Sequence, residues 1–80
     1  MKVLFYGRLA ESIATEVEVD ALPGSSVAQL RDRLIAIYPQ AEQPLRNVRS
    51  RACVGDTLVH DDYVPEVAET VEFLPPVSGG

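Results

Sequence analysis

The sequence predicts an α+β roll, in which one amphipathic helix covers one face of a mixed β-sheet. Two short apolar runs, 2–6 and 70–74, are typical of buried strands, and residues 15–20 alternate valines with polar residues as a half-exposed strand does. Between them, apolar residues recur at the spacing of one helix face: Val27, Leu30, Leu34 and Ile37. The 80 residues suffice for one domain.

The first two strands are predicted to form a hairpin. The strand at 2–6 carries apolar side chains on both faces, which indicates a central position in the sheet. Residues 7–14 are predicted to be a loop with some apolar anchoring. The strand at 15–20 turns its valines inward and its acidic residues outward.

The helix has a recognisable start and end. Ser26 and Gln29 have the spacing of a capping box, and Pro39 ends the helix at Tyr38. Three consecutive charged residues of the helix are predicted to lie off its apolar stripe: Arg31, Asp32 and Arg33. A helix with one apolar stripe must cover one face of the sheet.

The second half of the chain supplies three more strands. Residues 40–50 are predicted to be a connection, and a turn at 55–56 separates strands at 51–54 and 57–59. A loop leads to the last strand at 70–74. The order strand, strand, helix, strand, short strand, strand describes a β-grasp roll, whose first and last strands lie side by side and parallel.

This arrangement predicts a docking patch on the open face of the sheet. Alternation turns four residues of the first and last strands toward the helix: Val3, Phe5, Val71 and Phe73. Tyr6 and Leu74 then fall together on the opposite face, and Leu58 is a third member of the predicted patch. An apolar patch on an open face is typical of a protein–protein contact.

Charge is distributed unevenly along the chain. The net charge of −5 argues against nucleic acid as a partner. Residues 1–55 carry seven basic and six acidic side chains, whereas residues 56–80 carry six acidic and no basic ones. The acidic half is expected to be either a solvated face or a means of steering the chain toward a basic partner.

Several features predict a cytoplasmic protein that does not enter a membrane. The single cysteine, Cys53, excludes an internal disulfide. The apolar run at 1–6 meets Gly7–Arg8 and is too short for the apolar region of a signal peptide. No apolar stretch approaches the length of a transmembrane helix.

The chain offers few groups for a catalytic or metal site. His60 is the only histidine, and Cys53 lies within a strand pattern, so each is interpreted as structural. The aspartates near 56–62 lack the spacing of a calcium loop. Three arginines form a small basic cluster, for which a solvated loop is favoured over an anion site: Arg46, Arg49 and Arg51. We therefore expect no bound cofactor and no metal.

The last six residues are predicted to be a flexible tail, 75–80, that follows a globular domain at 1–74. Pro75 and Pro76 cannot continue a strand ladder and favour an extended segment. Val77 and Ser78 add small side chains. Gly79–Gly80 add none, so the tip fits a channel too narrow for a residue with a Cβ. The tip carries one reactive group, the Gly80 carboxylate.

A carboxylate is unreactive toward nucleophiles because its leaving group would be oxide. Conversion to an acyl-adenylate supplies AMP as a good leaving group, but nothing in the chain predicts an ATP site. A partner enzyme must therefore carry out the activation. Attack of a sulfur nucleophile on the adenylate would give a thiocarboxylate at Gly80.

The opening segment 2–11, the length of 80 residues and the ending Pro-Pro-Val-Ser-Gly-Gly resemble the small subunits of molybdopterin synthase. These are MoaD-type sulfur carriers of the ubiquitin-like MoaD/ThiS family. The resemblance runs along the whole chain and is most specific in the tail.

The resemblance implies a function and two partners. A MoeB-like adenylating enzyme would use ATP to activate Gly80, and a sulfur donor would convert it to the thiocarboxylate. The tail would then enter the large, catalytic subunit of molybdopterin synthase, in a heterotetramer. There the sulfur would pass to a cyclic pyranopterin precursor, and two transfers would build the dithiolene of molybdopterin. The chain itself would be the non-catalytic sulfur donor.

Three alternatives remain open at this point. The same carrier chemistry could serve thiamine synthesis or tRNA thiolation. A ubiquitin-like modifier would instead be joined through Gly80 to lysines of other proteins, and its own single lysine, Lys2, would be the one acceptor for chains. The third alternative is an interaction domain with an inert tail.

Overall fold

A computed structural model of the protein describes residues 1–20, 23–47 and 50–75. Within these ranges, five strands form one mixed sheet in the order β2-β1-β5-β3-β4. The strands are β1 (Lys2–Phe5), β2 (Glu16–Glu18), β3 (Arg51–Val54), β4 (Thr57–Val59) and β5 (Val71–Leu74). The helices are α1 (Arg8–Ser12), α2 (Val27–Ile37), a 3₁₀ turn (Pro39–Ala41) and α3 (Glu42–Arg46).

The pairing of the strands confirms the predicted roll. β1 pairs antiparallel with β2, as the hairpin prediction requires. On its other side β1 pairs parallel with β5, and Phe5 lies opposite Phe73. β5 also pairs antiparallel with β3, which places the last strand of the sequence in the middle of the sheet.

The helix α2 begins where the sequence predicts. The Ser26 hydroxyl accepts a hydrogen bond from the Gln29 amide at 3.2 Å, and the Gln29 side chain accepts one from the Ser26 amide at 2.8 Å. Both bonds of the capping box are therefore present. Carbonyl groups of the loop after β4 satisfy the next two amides, since Val27 donates to Tyr63 and Ala28 to Asp61. The helix ends before Pro39, as predicted.

Two predictions about the faces of α2 are wrong. Ile37 was predicted to face the sheet, but its side chain is 48% exposed, because it is the last residue of α2 and lies beyond Leu34, the last residue of the helix that is buried. Arg31 was predicted to lie off the apolar stripe, but it is only 7% exposed. It follows Val27 by four residues and precedes Leu34 by three, so it lies on the buried face.

Two predicted irregular segments contain short helices. Residues 7–14 were predicted to be a loop, but Arg8–Ser12 is a helix that buries Leu9. The predicted connection at 40–50 contains the 3₁₀ turn and α3, which buries Leu45. Neither α1 nor α3 has a side-chain N-cap, so no capping signal marks either start in the sequence.

The hairpin of β3 and β4 turns at Gly55–Asp56, as predicted. Both residues have positive φ, 55° and 65°, which is the backbone geometry of a two-residue type I′ turn. Asp56 tolerates this conformation better than most residues with a side chain.

The core lies between α2 and one face of the sheet. The rings of Phe5 and Phe73 are stacked with their centroids 6.0 Å apart, which joins β1 to β5 at the centre of the sheet. The other members come from every layer: Val3, Leu9, Val19, Val27, Leu30, Leu34, Ala41, Leu45, Ala52, Val54 and Val71. No helix among the described residues is long and apolar enough to span a membrane.

Candidate functional site

The candidate site begins at the end of β5. Leu74 is the last residue of that strand, and Pro75 is half-buried beside it. The rest of the predicted tail, 76–80, lies outside the described residues. The predicted roles of Gly79–Gly80, and of the preceding tail residues Pro76, Val77 and Ser78, therefore remain predictions. What the structure describes is the root of the tail and the surface around it.

The face of the sheet opposite α2 bears the predicted docking patch. Val3, Phe5 and Phe73 point into the core, so alternation turns Tyr6 and Leu74 to the open face. Tyr6 is 42% exposed, and Leu74 is half-buried. The β1–β5 register, continued by one residue, brings these two side chains side by side.

Leu58 extends the same open face toward the edge strand β4. It is 52% exposed and lies directly opposite Cys53 in the β3–β4 pair. Cys53 in turn lies opposite Glu72 of β5, so three adjacent strands present a continuous row of side chains. The three patch residues, Tyr6, Leu58 and Leu74, are thus carried on one face, and their role in docking remains a prediction.

A polar contact ties Tyr6 to the centre of this face. The Tyr6 hydroxyl donates a hydrogen bond to the Glu72 carboxylate across the β1–β5 pair. That bond is the main cause of a raised pKa of the Tyr6 phenol, because ionisation would remove the donated proton and set two negative charges together. Tyr6 therefore stays neutral on the surface, with its ring fixed over the strand that leads into the tail.

The open face below the patch is acidic. A shallow groove of about 490 Å³ runs along this side of the sheet. Its charged lining consists of one ammonium group and four carboxylates, from Lys2, Glu16, Asp56, Glu69 and Glu72. Three acidic residues of the segment 56–80, Asp56, Glu69 and Glu72, therefore line the face that holds the patch.

Of the remaining candidate residues, Arg46, Arg51 and His60 line one open cavity of about 690 Å³, and Cys53 lies apart from it. Among the described residues, no group of three or more His, Cys, Asp or Glu side chains could hold a metal ion. Cys53 is half-buried in β3, and His60 is exposed in the loop after β4. The Arg46 guanidinium is paired with Asp32 at 3.1 Å and with Glu42 at 3.4 Å.

In the described part of the basic cluster, the cavity that holds Arg46 and Arg51 also holds the carboxylates of Asp32 and Asp61. Arg49 lies outside the described residues, and Arg51 is exposed at the start of β3. Because Arg46 is already neutralised by two carboxylates, the described part of the cluster offers little net charge to an anion. This agrees with the interpretation of these arginines as a solvated surface.

A buried polar network behind β5 was missed by the sequence interpretation. The Arg31 guanidinium donates a hydrogen bond to the hydroxyl of Ser50, which is 3% exposed. The Ser50 hydroxyl in turn contacts the carbonyl oxygen of Leu74. The position of Arg31 on the buried face of α2 was the available signal, since a charged residue there requires internal partners.

Comparison with known proteins agrees with this geometry. The model of the ThiS family matches residues 3–80. The molybdopterin synthase sulfur carrier subunit of Escherichia coli K12 is 31% identical over 80 residues, which cover all of this chain and 99% of that protein.

Two solved structures show the same fold. The H. volcanii small archaeal modifier protein 1 superposes with a TM-score of 0.83 at 18% identity, covering 95% of each chain. A complex of subunits 1 and 2 of the molybdopterin-converting factor from Helicobacter pylori contains a chain that superposes with a TM-score of 0.64. Its identity is 18%, and the match covers 99% of this chain and 96% of that one.

Fold and comparisons together define the class as that of the ubiquitin-like β-grasp sulfur carriers of the MoaD/ThiS type. The chain belongs to the ThiS family, by a match that leaves out only its first two residues.

Proposed function

We propose that this chain is the sulfur carrier subunit of a molybdopterin synthase, in which Gly80 carries the sulfur as a thiocarboxylate. The observation that carries the proposal is the end-to-end correspondence with a relative of that name, at 31% identity. The placement of the tail root supports it, because the tail starts from the central strand beside an exposed apolar patch.

The proposed activation has two steps. The Gly80 carboxylate attacks the α-phosphorus of ATP on a MoeB-like adenylating enzyme, which forms the acyl-adenylate and releases pyrophosphate. A hydrosulfide equivalent from a sulfur donor then attacks the acyl carbon and expels AMP. The product is a C-terminal thiocarboxylate, whose sulfur is a good nucleophile on a narrow tether.

The proposed transfer takes place in a partner. The large synthase subunit binds the patch of Tyr6, Leu58 and Leu74 and receives the tail. The Pro75–Ser78 stretch of the tail then contacts the walls of the channel in that subunit. The thiocarboxylate sulfur bonds to a carbon of a cyclic pyranopterin precursor and displaces an oxygen substituent from it. Water then cleaves the acyl–sulfur bond, which leaves the sulfur on the precursor and returns Gly80 to the carboxylate. The H. pylori complex of subunits 1 and 2 supports a partner of this kind, and the assembly we propose is a heterotetramer.

The test measures two steps: formation of the thiocarboxylate on the chain, and transfer of its sulfur to the precursor. The full chain is incubated with a MoeB-like enzyme, ATP and a sulfur donor, and its intact mass is measured for the exchange of one oxygen for sulfur. The thiocarboxylated chain is then mixed with the large subunit and the cyclic precursor, and molybdopterin formation is measured. If the thiocarboxylate forms but no molybdopterin appears with an active large subunit, the molybdopterin assignment is wrong and the carrier serves another thiolation.

Three tail variants test the role assigned to the last two residues. Deleting Gly80, or adding one glycine after it, displaces the reactive carbonyl by ~3.5 Å and should abolish transfer, since near-attack geometry is lost. Gly79→Ala should leave the melting temperature unchanged but reduce activation or transfer, because a Cβ meets the channel wall. Normal turnover by any of the three would contradict the assigned role of the tail tip.

The second candidate function is that of a protein modifier. The likeness to a small archaeal modifier protein supports it only at the level of the fold. The same incubation separates the two functions, since a modifier would form amide-linked conjugates between Gly80 and lysines of added proteins. Conjugates that appear without a sulfur donor, together with no molybdopterin, would favour the modifier.

A further inference from the structure

The root of the tail is held by residues from two other parts of the chain. Ser50, just before β3, directs its hydroxyl to the carbonyl oxygen of Leu74, 3.3 Å away. Gly7, just after β1, lies against the ring of Pro75. Leu74 is the last residue of β5, and Pro75 is the first residue of the predicted tail. We call these contacts the tail-root clamp.

Arg31 fixes the direction of the Ser50 hydroxyl. Its Nη1 donates to Ser50 Oγ at 3.2 Å, and its Nη2 donates to the Ser50 carbonyl at 2.7 Å. A guanidinium has only donors, so the Ser50 oxygen must accept from it. The hydrogen of the hydroxyl is then left for the Leu74 carbonyl.

Arg31 is itself held on all sides. Its Nη1 also donates to the Leu45 carbonyl at 2.7 Å, and its Nε is paired with Asp61 at 3.1 Å. The guanidinium lies over the Phe73 ring, with 4.9 Å from Cζ to the ring centroid. The donor that orients Ser50 is therefore rigid, and it touches β5 at the residue before Leu74.

Gly7 supports the other side of the clamp. A Cβ placed on Gly7 would lie 2.8 Å from Cγ and 3.2 Å from Cβ of Pro75, so the proline ring occupies the space that a side chain would need. The φ of 61° at Gly7 also favours glycine. The backbone after β1 is thus shaped to receive the ring of Pro75.

These contacts act on one rigid unit. The Leu74 carbonyl belongs to the peptide bond with Pro75, and the planarity of that bond holds the carbonyl and the Pro75 nitrogen and Cα in one plane. The pyrrolidine ring fixes φ of Pro75, and the following Pro76 restricts its ψ to extended values. Once the carbonyl and the ring are held, few rotations remain by which the chain could change course at Pro75.

We propose that Ser50 is a positioning residue for sulfur transfer, acting through the Leu74 carbonyl to fix the direction in which the tail leaves the domain. This inference rests on the proposed function, because it concerns delivery of Gly80 into the partner's channel. A fixed direction lowers the entropy that must be lost when the tail enters the channel, so it affects the transfer step rather than docking.

The test compares Ser50→Ala with Ser50→Thr, which keeps the hydroxyl. Ser25→Ala is the matched control, since Ser25 lies in a small pocket with Met1, at the end of the sheet opposite the tail root. Each variant is fully thiocarboxylated and mixed with saturating large subunit and precursor, and single-turnover transfer is measured. The dissociation constant for the large subunit is measured in parallel.

Loss of the hydrogen bond from Ser50 to the Leu74 carbonyl, at ordinary strength, predicts transfer slowed by roughly threefold to tenfold in Ser50→Ala, with an unchanged dissociation constant. Ser50→Thr should restore the rate, and Ser25→Ala should match the original chain. Normal transfer by Ser50→Ala, or a loss that appears only in the dissociation constant, would overturn the positioning role.

Amide hydrogen exchange at Leu74 in the free protein tests the clamp without any partner. Ser50→Ala should speed this exchange severalfold relative to Ser25→Ala, and an unchanged rate would overturn the clamp. If the original chain transfers no sulfur, the proposed function fails, while the exchange result still decides whether the clamp exists.

Discussion

At the scale of single residues, partners matter more than residue type. Arg31 and Tyr6 are both polar residues beside β5, yet one is buried with four acceptors and the other stands on the surface with one. Each is held by its hydrogen bonds. Arg31 orients the Ser50 hydroxyl, and the Tyr6 hydroxyl binds the Glu72 carboxylate.

The contact between Tyr6 and Glu72 predicts a measurable titration. The pKa of Tyr6 is raised above 10.0, first by the hydrogen bond to Glu72 and then by desolvation and charge. Glu72→Gln should lower the pKa of Tyr6 toward its ordinary value. NMR titration of the tyrosine Cζ carbons measures the change.

Tyr63 is the internal control for that titration. Its pKa is also raised, mainly by its hydrogen bond to Glu69, and Glu72→Gln should leave it unaffected. Because the folded state binds the phenolic protons more tightly, both contacts stabilise the fold fully below pH 10 and lose that effect as pH rises through the raised pKa values. A Tyr6 titration that ignores Glu72→Gln would mean that the surface hydrogen bond does not persist in solution.

At the scale of the elements, one helix face and one strand face decide most of the structure. On α2, Leu34 is fully buried whereas Ile37 is half-exposed. Leu34→Ala should lower the free energy of unfolding by about 2–5 kcal/mol, because it removes buried methyl groups and leaves a cavity. Ile37→Ala, the matched control, should cost less than about 1.5 kcal/mol. Urea unfolding of both variants measures the difference, and equal losses would place Ile37 in the core.

The two faces of β5 predict a separation of stability from binding. Phe73 points into the core and Leu74 to the open face. Leu74→Asp should weaken the complex with the large subunit severalfold or more, since burial of a leucine contributes roughly 1.5–3 kcal/mol and a carboxylate there adds desolvation. Its melting temperature should stay within a few degrees of the original.

Val67→Asp is the control for that variant. Val67 is an exposed apolar residue, but it lies in the loop before β5 beside Gln29 and Leu30 of α2. It should bind the large subunit normally. An affinity lost equally in both variants would indicate an effect of added charge rather than a patch that includes Leu74.

The sequence sufficed for elements that carry a periodic pattern or a cap. Ser26 with Gln29 marks the start of α2, and alternation in β1 and β5 correctly separates Phe73 from Leu74. The short helix α1 was not predicted, because five residues hold too few turns to show a helical periodicity of apolar residues. Its N-cap, Gly7, has no side chain that could mark the start of the helix. Short helices depend on tertiary packing, which in α1 means the burial of Leu9.

The candidate site could be predicted in its covalent part and in the residues that share the open face of the sheet, Tyr6, Leu58 and Leu74. The order Pro75 to Gly80 is visible in the sequence, as is the likeness of the tail to known carriers. The tail-root clamp could not be foreseen, because Gly7, Ser50 and Pro75 are far apart in the sequence. They meet only because β5 pairs with β1 on one side and with β3 on the other. The burial of Arg31 follows from its position on the helix face between Val27 and Leu34, which its charge conceals in the sequence.

At the scale of the whole molecule, charge asymmetry should control the rate of association. The acidic second half includes carboxylates of the open face, so attraction to a basic partner acts over a screening length of ~8 Å at physiological salt. Raising salt should therefore slow association with the large subunit more than it speeds dissociation. Stopped-flow mixing at several salt concentrations measures both rates. A dissociation rate that responds more strongly than the association rate would contradict steering.

The position of β5 also has a consequence for when the protein can fold during its synthesis. The sheet is completed by a strand at its centre that is made after the other four. Until residues 71–74 have been synthesised, the β1–β2 and β3–β4 hairpins have no strand to join them, and the stacking of Phe5 on Phe73 cannot form. We therefore expect folding to wait until synthesis has almost reached the predicted tail. A chain truncated before β5 lacks the strand that pairs with both β1 and β3, so we expect it not to fold.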